Sequence, residues 1–498
     1  MQNRCVFCVP DTCRGSAKNS ISQHSKSKNS PQTPLFPIFA VAKTNDNMPK
    51  THKQNIIYQL FRCYLRLIHD RLFYKRVHRI GLENMPAEGV PLIVTSNHQN
   101  CLNDPLGLIF CFRDRKPHIL ARADVIEYNC LTRKFLRSIG LLPTFRLNFD
   151  GEEALARNNS TFSESETSLI DGNTIIMFPE GVHQDKRWLG PFSSGYTKMA
   201  FEAAQMDNFQ TEVFILPCCN HYSDYHGIQN ELIIKIGKPV SIAPFYELYK
   251  TKPRTAQREV SALVFSQIES MMLDITDLDN YEAIDFLRGI YGRRFAAANN
   301  LNPNHFPDQL EADKMLVAQL DALKAEKPDV VANIYSKALE YKHLLTNNRI
   351  TDLEVARNAS GAQTLANVLS LIILAPAWIV SLCPNLLIYI VPNIFINRLK
   401  DKMFEGTIRY TVWVLLTIPL FYTLTFVFLL WLVNIWAAII YTCMLPALGI
   451  FAWNYWQFLK RTCRMVRFRR IKADKRQQIS TLRKEIINSL NEQLTINN

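Results

Sequence analysis

The chain has 498 residues, 48% of them hydrophobic and 20% charged, a balance that excludes a globally disordered polypeptide. Its 17 glycines exclude collagen-like and glycine-rich repeats, and at roughly 100–200 residues per domain the length admits two to four units. Lys and Arg outnumber Asp and Glu by 57 to 44, a formal net charge of +13, which points to an anionic partner: nucleic acid, membrane headgroups or a phosphorylated substrate.

Residues 1–47 are polar, rich in Ser, Asn, Gln, Lys and Pro, and read as a disordered extension, with Met48 as the start of the organised sequence. Of twelve cysteines, Cys5 and Cys8 alone have a Cys-x-x-Cys spacing, and no apolar run of signal-peptide type lies near the first residue. The thiols therefore read as reduced and cytosol-facing. Within residues 48–80, Ile57, Leu60, Phe61, Tyr64, Leu65, Ile68 and Leu72 recur at helical spacing. Lys53, Arg62, Arg66, His69, Arg71, Lys75 and Arg76 fall on the other face. The pattern predicts one basic amphipathic helix, either lying in an anionic membrane surface or packed on the next domain.

Residues 81–250 read as an α/β domain. Short apolar runs at 91–97, 118–123, 173–178, 212–217 and 231–237 carry strand signals, with helical stretches such as 126–138 and 195–206 between them. The alternation predicts a mostly parallel or mixed central β-sheet flanked by helices. Residues 251–357 read as a helical region with no evident chemistry.

The composition then changes. Residues 358–397 and 410–459 hold no charged side chain. A membrane-crossing helix needs about 20 apolar residues, so 410–459 can hold two transmembrane helices, turning near Asn434. Basic residues between the stretches (Arg398, Lys400, Lys402, Arg409) and in the basic tail 460–498 place both flanks in the cytoplasm. Residues 358–397 must then be a re-entrant or membrane-embedded segment, broken at Pro376 and Pro384.

Four segments of the α/β domain carry candidate chemistry. His98 and Asp104 lie just after the first strand run; a strand-end histidine is a suitable general base, and a carboxylate on its far nitrogen fixes the tautomer. On one continuous helix the two would stand about 120° apart, so contact needs a turn after the histidine. Next, Gly140 permits a turn after which Arg146 could meet a phosphate with its planar fork. Third, Phe178-Pro179-Glu180-Gly181 forms a tight loop at a strand end, with Lys186 and Arg187 close behind. Last, the run 215–217 ends on Pro217 and could wall a groove.

In this order the four segments resemble the glycerol-phosphate/phospholipid acyltransferase family over about residues 75–245. The Phe-Pro-Glu-Gly block is the most specific of them. The family usually spaces its pair His-x4-Asp; here the spacing is His-x5-Asp, with Asn103 in the usual aspartate position, as in a branch that includes the yeast-type glycerol-3-phosphate/dihydroxyacetone-phosphate acyltransferases. The resemblance implies a membrane-bound O-acyltransferase of phospholipid biosynthesis, its catalytic domain on the cytoplasmic face. Its partners would be membrane lipids, an acyl-CoA or acyl carrier protein thioester as co-substrate, and a phosphorylated glycerol acceptor, with no metal, no cofactor and no nucleic acid. The acceptor would be glycerol 3-phosphate, dihydroxyacetone phosphate or 1-acylglycerol 3-phosphate. His98 would be the base and Asp104 its orienting partner; Arg146, Phe178, Pro179, Glu180, Gly181, Lys186 and Arg187 would shape the substrate pocket. The alternatives are an acyltransferase for another lysolipid and a catalytically inactive membrane scaffold of the same fold. Gly-x-Ser-x-Gly, P-loop, dinucleotide and His-Glu-x-x-His motifs are absent.

Overall fold

The computed structural model describes residues 56–113, 115–127, 129–144, 153–182, 186–399 and 401–494. The extension expected over 1–47 and the candidate Arg146 lie outside the described residues. The central sheet has strands β1 (Tyr74–Ile80), β2 (Leu92–Ser96), β3 (His118–Arg122), β4 (Leu141–Thr144), β5 (Thr174–Met177), β6 (Phe214–Tyr222), β7 (Asn230–Ile236) and β8 (Val240–Ser241). Their order is β1-β7-β6-β2-β5-β3-β4, with β8 beside β6. β2 runs parallel to β5 and β6, whereas β6 and β7 are antiparallel, so the sheet is mixed.

The sequence of β2, LIVTS, explains its central place. It is apolar and β-branched and fully buried, as a strand covered on both faces must be. Leu92 and Val94 face one core with Leu216 and Cys218 of β6, while Ile93 faces the other with Ile215 and Cys219. Helices Gly195–Met206 and Pro253–Met271 cover the second face, and Ile68, Phe73 and Leu106 pack into the first.

The expectations around β1 and β6 need correction. The amphipathic helix does not run to residue 80: it spans Ile56–Leu67, widens into a π-helical turn through Phe73, and gives way to β1, which pairs with β7. Tyr74–Ile80 offers Tyr, Val and Ile to an open sheet edge, and edge pairing overrides helical periodicity. Nor does β6 stop at Pro217; it continues to Tyr222. Residues Phe214 and Ile215 pair with β8, and Cys218–Tyr222 with β7. Pro217, which has no N–H to give, stands at the changeover.

Helices Tyr281–Ala298, Phe306–Glu326 and Pro328–Asn347 form a layer whose core reaches Ile233 of β7. The last helix, Ala473–Gln493, buries Ile479, Leu482, Ile486 and Leu490 in the same core. The basic segment after residue 460 is therefore no free tail. Lys460 to Arg470 complete the helix Ile435–Arg470, and the 3–4-residue apolar spacing beyond it docks the C-terminal helix.

Three apolar helical runs, Gly361–Ile396, Glu405–Leu432 and Ile435–Arg470, are long and apolar enough to cross a membrane. The second and third form a hairpin turning at Asn434, whose side chain caps the third by accepting the Ala437 amide at 2.9 Å. The first changes to a 3-10 turn at Cys383–Asn385. Tyr455 donates to the Leu371 carbonyl, Asn385 to that of Leu445, and Tyr389 to that of Gly449. From 371 to 385 the contacts descend Ile435–Arg470; from 385 to 389 they climb again. Pro384 lies in the 3-10 turn, whereas Pro376 stays within the helix Gly361–Leu382 without breaking it.

Candidate active site

β2 and β5 are parallel neighbours with Thr95 opposite Met177, so the loops that follow them leave the sheet side by side. This edge, outside the carboxyl ends of parallel strands, is where α/β sheets place ligands. His98 comes from the first loop and Phe178–Gly181 from the second. β6 passes alongside, and Asn97 locks to it: the Asn97 side chain donates to the Asn220 carbonyl at 2.9 Å and accepts the Asn220 amide at 2.8 Å.

Nδ1 of His98 lies 2.8 Å from Oδ2 of Asp104. The pairing is with Asp104 and not Asn103, whose side chain turns to Asn100 instead. The turn that makes this possible joins the Asn103 amide to the Asn100 carbonyl at 2.8 Å, with Cys101 at φ +40°. That conformation is uncommon for a residue with a side chain. It absorbs the extra residue between histidine and aspartate.

Asp104 is completely buried and heavily hydrogen-bonded. Its Oδ2 also accepts the backbone amides of Gln99 (2.8 Å) and Asn100 (2.7 Å), and its Oδ1 accepts the Tyr222 hydroxyl at 2.6 Å. Three donors that carry their own hydrogens suit an ionised carboxylate. The fourth contact is then Nδ1–H of His98, which leaves Nε2 as the basic nitrogen. The histidine side chain is 17% exposed, enough to be reached from outside. Phe178 stacks on its ring with centroids 4.2 Å apart.

Glu180 braces the two loops. Its Oε1 accepts the His98 amide at 2.7 Å and its Oε2 the Gly190 amide at 3.0 Å. Both oxygens serve protein backbone, a role more internal than the pocket contact expected. Burial pushes its carboxyl up to about 7, against the pull of the two amides. The Pro179 carbonyl accepts the Ser193 amide, and Gly181 closes the turn on the Phe178 carbonyl at φ +70°. Nothing lies within 4 Å of where a Cβ at Gly181 would sit, so backbone conformation, not space, selects glycine there.

Lys186 is exposed; its carbonyl accepts from Gln99 Nε2 at 2.8 Å, and its ammonium lies 5.4 Å from the Tyr281 ring centroid. Arg187 is buried, donating to the Tyr222 carbonyl at 3.2 Å and pairing with Asp285 at 3.6 Å. The sequence reading missed Gln99, Asn100, Gly190 and Tyr222. Tyr222 lies 118 positions from Asp104, and no local pattern joins the two.

With this fold and this histidine–aspartate pair stands a direct likeness: residues 76–221 match the family described as Acyltransferase. The chain is 25% identical over 200 residues to an uncharacterized acyltransferase of Schizosaccharomyces pombe, covering 39% of this chain and 28% of that protein. It is 26% identical over 135 residues to glycerol-3-phosphate O-acyltransferase 2 of Saccharomyces cerevisiae, covering 27% and 18%. A probable 1-acyl-sn-glycerol-3-phosphate acyltransferase of Mycoplasma pneumoniae is 26% identical over 179 residues, covering 34% and 63%. The matched stretch thus spans less than a third of each of the two fungal proteins and under two thirds of the third. The chain carries an acyltransferase domain. The relatives with named activities are glycerol-3-phosphate and 1-acylglycerol-3-phosphate acyltransferases.

Proposed function

We propose that the protein moves a fatty acyl group from a thioester, acyl-CoA or acyl carrier protein, to a hydroxyl of a phosphorylated glycerol acceptor at a membrane. The acceptor is glycerol 3-phosphate, dihydroxyacetone phosphate or 1-acylglycerol 3-phosphate. The observation that carries this reading is the 2.8 Å contact of His98 Nδ1 with a buried, four-fold hydrogen-bonded Asp104. His98 Nε2 takes the proton of the acceptor hydroxyl as its oxygen attacks the thioester carbonyl. Asp104 stabilises the imidazolium. As the tetrahedral centre collapses, the C–S bond breaks and the leaving sulfur receives the proton back from His98. The nucleophile is the substrate's own oxygen, so no acyl-enzyme forms.

Arg146, six residues beyond the Gly140 turn, is our candidate for the acceptor phosphate, with Lys186 as a second cation at the loop. The activities for which the yeast and mycoplasmal relatives are named support the acceptor class. The three apolar runs support a membrane-bound protein with the basic flanks, and hence the domain, on the cytoplasmic side. The test is thioester release by the purified full chain in detergent, with each acceptor offered in turn with acyl-CoA and with acyl carrier protein. Release that depends on acceptor and is lost in His98→Ala supports the reading. Release indifferent to acceptor, or none at all, overturns it.

A further inference from the structure

The loop that holds His98 and Asp104 touches a residue some 300 positions further along. Thr407 stands in the first turns of Glu405–Leu432, the second apolar run. Its hydroxyl donates to the Asn100 carbonyl at 3.2 Å and accepts the Leu102 amide at 3.1 Å. One side chain thus bridges the residues on either side of Cys101, the positive-φ residue of the loop. Such a conformation persists only where its surroundings over-determine it.

Gly406 brings the helix close enough. A Cβ there would lie 2.6 Å from the Tyr225 carbonyl oxygen, closer than real contacts allow, and a tight 3.0 Å from Asn100 Oδ1. Asn100 in turn donates its side-chain amide to that Tyr225 carbonyl and its backbone amide to Asp104. A continuous path runs from Thr407 through Asn100 to Asp104 and the imidazole of His98.

We propose that Thr407 is a positioning residue for the reaction: the head of an apolar helix clamps the loop Gln99–Asn103 and so sets the His98–Asp104 geometry. The apolar region is then part of the catalytic apparatus as well as an anchor. This inference rests on the reading of His98 as the base.

The test uses the full chain in detergent, with the thioester and acceptor that wild type turns over. Thr407→Val keeps the shape and removes both hydrogen bonds; Thr407→Ser keeps the hydroxyl. Misplacing a catalytic group by about 1 Å can cost on the order of 100-fold. We therefore expect Thr407→Val to lower kcat by roughly tenfold or more, with both KM values within about twofold of wild type. Thr407→Ser should restore kcat to near the wild-type value, a rescue that general loosening of the fold would not produce. Gly406→Ala, which pushes the helix off the loop, should lower kcat in the same way. If Thr407→Val fails to fold, Thr407→Ala is read by the same criteria. An active wild type whose kcat is unchanged by Thr407→Val, or a serine variant as impaired as the valine one, overturns the clamp alone. An inactive wild type overturns the acyl-transfer reading and the clamp with it.

Discussion

Glu180 holds the backbone of His98: its Oε1 accepts the His98 amide at 2.7 Å, while its second oxygen accepts Gly190. Glutamine at this position could accept with one oxygen and would turn an NH2 toward the other amide. An unsatisfied buried group of this kind costs about 1–3 kcal/mol. Glu180→Gln should therefore reduce kcat through a displaced histidine, read as initial rates at saturating substrate.

The same residue gives a pH signature. Its carboxyl is raised from 4.5 to about 7 by burial. Between those values the folded chain holds a proton that the unfolded chain releases, so stability from this group is complete below pH 4.5 and is lost as pH rises through 7. The Tm of wild type should fall relative to that of Glu180→Gln as pH rises across this window. Tm differences measured in one detergent at about pH 5 and about pH 8 check it; an equal gap at both means that Glu180 does not titrate there.

The aspartate's identity is open to direct contrast. His98→Ala should cost roughly 10²–10⁴-fold in kcat, the usual contribution of a general base. Asp104→Asn should be comparably severe, because its NH2 group would face donors. Asn103→Ala should be mild, since Asn103 bonds within the turn and does not reach His98. Rates for the three variants side by side decide it; a critical Asn103 with a dispensable Asp104 would contradict the geometry.

Tyr222 contributes one hydrogen bond to the buried Asp104 carboxylate, at 2.6 Å. Hydrogen bonds to charged groups are worth about 1.5–3 kcal/mol. Tyr222→Phe keeps the ring and removes the donor, so kcat should fall by roughly tenfold or more, with about 1.4 kcal/mol per factor of ten. Substrate KM values should stay near wild type, because the hydroxyl faces inward.

Arg146 is tested by recognition rather than rate. A guanidinium meets phosphate through two parallel hydrogen bonds, which lysine cannot reproduce. Arg146→Lys should raise acceptor KM on the order of tenfold, with the thioester KM little changed. A rise in thioester KM would assign the arginine to the phosphates of the carrier.

The parts of the fold legible in the sequence were those with strong local signals. Runs such as LIVTS and TIIM are apolar and β-branched, and they are strands. The Phe178–Gly181 block pointed to a tight loop, and Gly181 is in the left-handed region. The His98–Asp104 pair could be proposed from a strand-end histidine and the family resemblance; its contact required a turn, and Cys101 supplies it. β1 escaped notice because YKRVHRI continues an amphipathic helical pattern; its partner, β7, lies about 150 residues later. Tyr222 and Thr407 were illegible for the same reason: each acts through hydrogen bonds to residues far away in the chain, which leave no periodicity or spacing to read.

The docked C-terminal helix has a topological consequence. Arg483 pairs with Asp352, and the Tyr291 hydroxyl donates to Asn491, so the chain beyond residue 473 shares a core with the layer attached to the sheet. The segments on either side of the apolar region must therefore lie on one side of any bilayer that region enters. Only an even number of crossings satisfies this. Three runs each traversing once would strand the last helix on the wrong face; a first run that enters and leaves on the same side, which the contacts of Leu371, Asn385 and Tyr389 along Ile435–Arg470 allow, would restore the parity.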